Sequence, residues 1–159
     1  MAYKLETVLY ATDLKPEQLG ACEYALALSH AFDAKLYVLH VIEPHLNLPA
    51  GVPGITDLPR LEPPAEEFQA AADEIQKRIE ELWEEWPRRE TTSRLRLSVH
   101  VFEGLHVDGI LAMAQETHAD TIVLGMRRRG FIRRILEEPI SKRLLLDAGV
   151  PVALVPPPD

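Results

Sequence analysis

Short apolar runs and helix-period stripes alternate along the chain. Thr7–Thr12 (TVLYAT) is an apolar run ending at Asp13, the pattern of a strand buried on both faces. Pro16 suits the first turn of a helix, where its missing N–H removes no bond. That helix is expected to run to about Phe32, with Leu19, Cys22, Tyr24, Leu26 and Leu28 available for packing. Lys35–Ile42 (KLYVLHVI) reads as a second strand. In Ala65–Trp86 the apolar residues Phe68, Ala72, Ile75, Ile79, Leu82 and Trp86 recur every three or four positions, one stripe on a helix that Pro87 stops. Within Thr92–Phe102, Leu95, Leu97, Val99 and Val101 alternate strictly, which predicts a third strand ended by Gly104. Val107–His118 reads as a helix and Thr121–Leu124 as a fourth strand, broken by Gly125. Ile140–Ala148 is the last expected helix and Val152–Val155 (VALV) the fifth strand.

Strictly alternating strands and helices predict an α/β fold: one doubly wound domain over residues 1–159, a five-stranded parallel sheet with helices on both faces. Ligands of such sheets bind beyond the carboxyl ends of the strands, where the strand order reverses. Asp13, Val41 and Gly125 stand at expected strand ends and are the first candidates.

One segment interrupts this rhythm. Residues 43–64 hold six prolines with Gly51 and Gly54, which forbids a regular element. This Pro-rich excursion leaves the carboxyl end of the second strand. It reads either as a cover for the crevice or as a variable surface loop.

Charge is unevenly spread. The 159 residues carry a formal net charge of −8. Residues 62–90 hold ten acids against four basic residues, a solvated helix face. Gly125–Arg134 (GMRRRGFIRR) is the opposite extreme, with Arg127, Arg128, Arg129, Arg133 and Arg134 and no acid. Gly125 and Gly130 frame the first three arginines. Glycine permits close backbone approach, and arginine offers forked donors matched to phosphate or carboxylate. Two readings stand side by side: an anion site, or an exposed basic loop paired with acids of the same fold or of a partner subunit. The net charge argues against general nucleic-acid binding.

Other chemistries lack their residues. One cysteine, Cys22, excludes a disulfide framework and a cysteine-built metal site. None of the six histidines, His40 and His100 among them, sits in a His-x-x-x-His or His-Glu-x-x-His run, so no metal is expected. The Gly-x-Ser-x-Gly elbow, the P-loop and the Gly-x-Gly-x-x-Gly fingerprint are all missing. No catalytic constellation is therefore expected. No apolar stretch is long enough for a membrane helix and no leader is evident, so a cytoplasmic protein away from membranes is expected.

Four segments carry a resemblance, in order, over nearly the whole chain. VLYATDLKPEQ, AFDAKLYVLHVIEP, ADTIVLGMRRRG and AGVPVALVP together resemble the universal stress protein family. The resemblance implies a Rossmann-like, adenine-nucleotide-hydrolase-like domain, commonly a homodimer paired through its last strand, here Val152, Ala153, Leu154 and Val155. An apolar edge strand left bare invites aggregation, so such pairing makes physical sense. Many members bind ATP through a glycine, two residues, a glycine, nine residues, then glycine and Ser or Thr.

Carried over by position, the resemblance implies Asp13 near the nucleotide's sugar, Val41 near the adenine and Gly125 as the first motif glycine. The second motif glycine falls on Arg128, the third on Glu138, and the Ser/Thr on Pro139. Pro139 has neither N–H nor hydroxyl to offer a phosphate, although proline suits a helix start. Glu138 brings a negative charge to the same place. The expectation is a stress-response or regulatory domain that binds another, unidentified protein and has lost tight ATP binding, with no resident cofactor. The alternative is an ATP- or AMP-binding sensor, or slow ATPase, using a remodelled loop of Arg127, Arg128 and Gly130.

Overall fold

The structure, a computed structural model, describes residues 3–12, 18–42, 65–85, 96–104, 106–126 and 139–157, excepting the side chains of 139–141. Its elements are β1 (Thr7–Thr12), α1 (Leu19–Phe32), β2 (Lys35–Ile42), α2 (Ala65–Glu84), β3 (Leu97–Glu103), α3 (His106–Glu116), β4 (Thr121–Gly125), α4 (Pro139–Asp147) and β5 (Val152–Val155). The strands form one five-stranded sheet in the order β3-β2-β1-β4-β5. All four pairings are parallel, as the apolar runs predict. The chain builds outward from β1 through β2 to β3, then returns to β1's other side for β4. The order therefore reverses between β1 and β4, which places the crevice at their carboxyl ends.

Side-chain alternation divides the core in two. On one face Val8, Tyr10, Leu36, Val38 and Val123 pack against Cys22, Ala25 and Leu26 of α1 and Ile75 and Ile79 of α2. On the other, Leu9, Leu39, Val41, Ile122 and Leu124 pack against Val107 and Ile110 of α3 and Leu144 of α4. Both faces of the central strands are dry, which is why β1 and β4 read as unbroken apolar runs. The outer face of α2 carries exposed i,i+4 pairs, Arg78 with Glu74 and Lys77 with Glu81, the solvated face expected from its charge.

Local chemistry sets the element ends. Asp33, in the left-handed conformation at φ 51°, closes α1, and the Ala34 N–H donates to Ser29 O at 2.9 Å. The Asp120 carboxylate accepts the main-chain N–H groups of Glu6 at 2.8 Å and Thr7 at 2.9 Å, tying the start of β4 to the start of β1. Two expectations are refined. Gly125 does not break β4; it is the strand's last residue and pairs with Val155. The alternating residues of β3 are packed on one side only. Leu97 and Val99 meet the α1–α2 core, whereas on the other face α3 packs mainly over β2 and β1 and meets β3 at Phe102, which stays partly exposed.

Candidate ligand crevice at the carboxyl edge

The last rung of the β1–β2 ladder joins Thr12 to His40, and Ala11 stands opposite Leu124 in β4. The described part of the crevice is therefore bounded by Thr12, by His40 and Val41 of β2, and by Gly125. Val41 is only 5% exposed, with its side chain in the α3-side core. What it can offer a ligand at this edge is its main chain. A β-carbon on Gly109 of α3 would stand 2.7 Å from Phe102 Cδ1 and 3.0 Å from Val41 Cγ2. Glycine at 109 thus lets α3 settle directly on the ends of β2 and β3.

Gly125 serves close packing too. A β-carbon there would stand 3.0 Å from Gln18 Cγ and 3.3 Å from Ala21 Cβ. The start of α1 occupies that space. Gln18 is itself held, since the Tyr10 hydroxyl donates to its main-chain carbonyl at 3.3 Å. Beside it lies a cavity of about 30 Å³ bounded by Tyr10, Thr12, Gln18, Cys22, Ile79 and Arg78. That is room for about one or two waters, far below a nucleotide. Burial pushes the Cys22 thiol up to about 12, with the Glu23 charge adding to the shift, so the thiol stays protonated and inert.

A side-chain bond crosses between β2 and β1 at this edge. His40 Nδ1 lies 2.9 Å from the carbonyl oxygen of Thr12. Sequence reasoning set His40 aside because it belongs to no ligand motif. The available signal was positional: His40 shares its face of β2 with Leu36 and Val38, and it comes immediately before Val41.

Asp13, Arg127, Arg128, Arg129, Gly130, Arg133, Arg134 and Glu138 lie outside the described residues, as does the 43–64 excursion. Pro139 is the first residue of α4, the position its chemistry favours. Among the described residues there is no cluster of three or more His, Cys, Asp or Glu able to hold a metal. No helix among them is long and apolar enough to cross a membrane.

β5 forms one border of the sheet, and its four residues are all half-buried. Ile122 N donates to Pro151 O at 3.0 Å and Met126 N to Val155 O at 2.8 Å. The main-chain groups of odd-numbered residues therefore face β4, while those of Val152 and Leu154 face outward.

The chain matches the family model described as "Universal stress protein family" over residues 4–156. It is 26% identical over 153 residues to universal stress protein MJ0531 of Methanocaldococcus jannaschii, spanning 95% of this chain and 82% of that one. Among solved structures it is similar to a universal stress protein in complex with cAMP, with a TM-score of 0.64, 19% identity and coverage of 98% and 99% of the two chains. It is likewise similar to UspA from Lactobacillus plantarum, with a TM-score of 0.63, 18% identity and coverage of 97% and 99%. At these identities the structural matches establish the shared fold, while the family match rests on the sequence from end to end. The chain belongs to the universal stress protein family.

Proposed function

We propose that this chain is a single-domain, non-catalytic regulator that acts in the cytoplasm as a homodimer by binding another protein. In this reading its carboxyl-edge crevice has lost the grip on Mg-ATP and accepts at most an adenine nucleoside monophosphate. The observation that carries it is Pro139 at the first position of α4. A phosphate held at a helix start needs main-chain N–H donors, and here the first of them is absent. Arg128 and Glu138 stand where the motif has its second and third glycines. These departures fall on the phosphate side and leave the Asp13 and Val41 positions intact. The structural neighbour in complex with cAMP supports a monophosphate there.

Calorimetric titration tests this reading. AMP should bind more tightly than Mg-ATP, and sub-micromolar affinity for Mg-ATP would overturn it. Arg128→Gly, Glu138→Gly and Pro139→Ser combined should raise affinity for Mg-ATP. The second reading, a nucleotide sensor or slow ATPase using Arg127, Arg128 and Gly130, predicts ATP carried through purification and steady phosphate release. The homodimer is expected to form through Val152, Ala153, Leu154 and Val155, of which Val152 and Leu154 turn main-chain groups outward toward a second copy.

A further inference from the structure

At the carboxyl edge His40 bonds to Thr12 across the two strands. A carbonyl oxygen can only accept, so at 2.9 Å His40 Nδ1 carries the hydrogen and donates it. In the neutral ring this leaves Nε2 as the unprotonated nitrogen. The bond lies on the last rung of the β1–β2 ladder among the described residues. In the sequence Asp13 follows Thr12, and Val41 follows His40. One imidazole therefore ties together the ends of the two strands that lead into both candidate contacts of the crevice.

We propose that His40 is the positioning residue of the crevice, its Nδ1–H holding the Thr12 carbonyl and thereby fixing the end of β1 against β2 beside Val41. It touches no ligand in this account; it sets the frame in which the β1 and β2 ends meet one. The inference rests on the reading of this edge as the adenine-monophosphate site. Its test is built so that the two fail separately.

The test combines ¹⁵N spectra of the imidazole with calorimetric titration of AMP into wild type, His40→Leu and His40→Asn. The expected tautomer has hydrogen on Nδ1 and none on Nε2. His40→Leu, which keeps bulk and removes the donor, should weaken AMP binding about fivefold to tenfold, the worth of one such hydrogen bond. His40→Asn, whose side-chain amide restores a donor near the same place, should recover most of that loss. A merely space-filling role predicts the reverse order, with Leu tolerated and Asn harmful. Hydrogen on Nε2 instead, or equal affinity in wild type and His40→Leu, overturns the proposal. If wild type binds no AMP, the monophosphate reading falls. The positioning role is then judged by the tautomer and by the Thr12 carbonyl ¹³C resonance, which must move in His40→Leu and return in His40→Asn. If His40→Leu does not fold, the tautomer and the comparison of wild type with His40→Asn decide.

Discussion

Gly125 and Gln18 divide one small space at the carboxyl end of β4: a β-carbon on Gly125 would stand 3.0 Å from Gln18 Cγ and 3.1 Å from Gln18 Cδ. The glycine matters here for what packs on it: Gln18 and Ala21, at the start of α1, need the space that a side chain would take.

Gly125→Ala should therefore destabilise the fold by about 1–3 kcal/mol, the usual range for overpacking a close contact. Urea unfolding of the variant measures this. In a Gln18→Ala background the same substitution should be better tolerated, because the crowding side chain is gone while Ala21 Cβ, at 3.3 Å, stays. Equal penalties in both backgrounds would show that Gln18 is not the neighbour that matters.

Gly109→Ala raises helix propensity in α3 by about 1 kcal/mol. It should nevertheless lower stability, because its β-carbon meets Phe102 Cδ1 at 2.7 Å and Val41 Cγ2 at 3.0 Å. Phe102→Leu should relieve part of the penalty. Thermal unfolding of the two single variants and the double variant reads the coupling directly.

Cys22 predicts an alkaline limb in the stability profile. Its thiol has an ordinary value of 9.0 and is pushed up to about 12 in the folded chain, first by burial and then by Glu23. The folded state thus holds a proton that the unfolded state releases earlier. That contribution is fully present below about pH 9 and is lost as the pH rises toward about 12. Urea midpoints should fall over this window in wild type and fall less in Cys22→Ala. A thiol reagent at pH 8 should label native protein only at the rate of unfolding.

Leu154→Pro removes one outward N–H from β5 while leaving the odd-numbered groups that bond β4. If copies pair through this edge, the change should weaken the dimer about tenfold or more, since two-fold symmetry repeats the lost bond. Leu154→Ala, which keeps the N–H, serves as the control for lost packing. Sedimentation equilibrium of the two variants separates main-chain pairing from side-chain contact.

The sequence pattern locates β1, β2 and β5 to the residue, their apolar runs ending at Asp13, Glu43 and Pro156. The α2 stripe is equally legible: Ile75 and Ile79, four residues apart, are its buried centre. The site is less so. Pro139 announces itself through its chemistry, yet Gln18 filling the space over Gly125 depends on how α1 lies across β4, which no local pattern encodes. The His40–Thr12 bond spans 28 residues of sequence and exists only once β1 and β2 are paired.

Pro156 gives the β5 border a built-in stop on its carboxyl side. Its missing N–H falls at an even-numbered, outward-facing position, so a partner strand finds the complete main-chain groups of Val152 and Leu154 and none at 156. A second copy related by two-fold symmetry would occupy both borders in a single contact and leave neither available to a third. In such a pair an apolar edge that could otherwise seed a growing stack would be closed off.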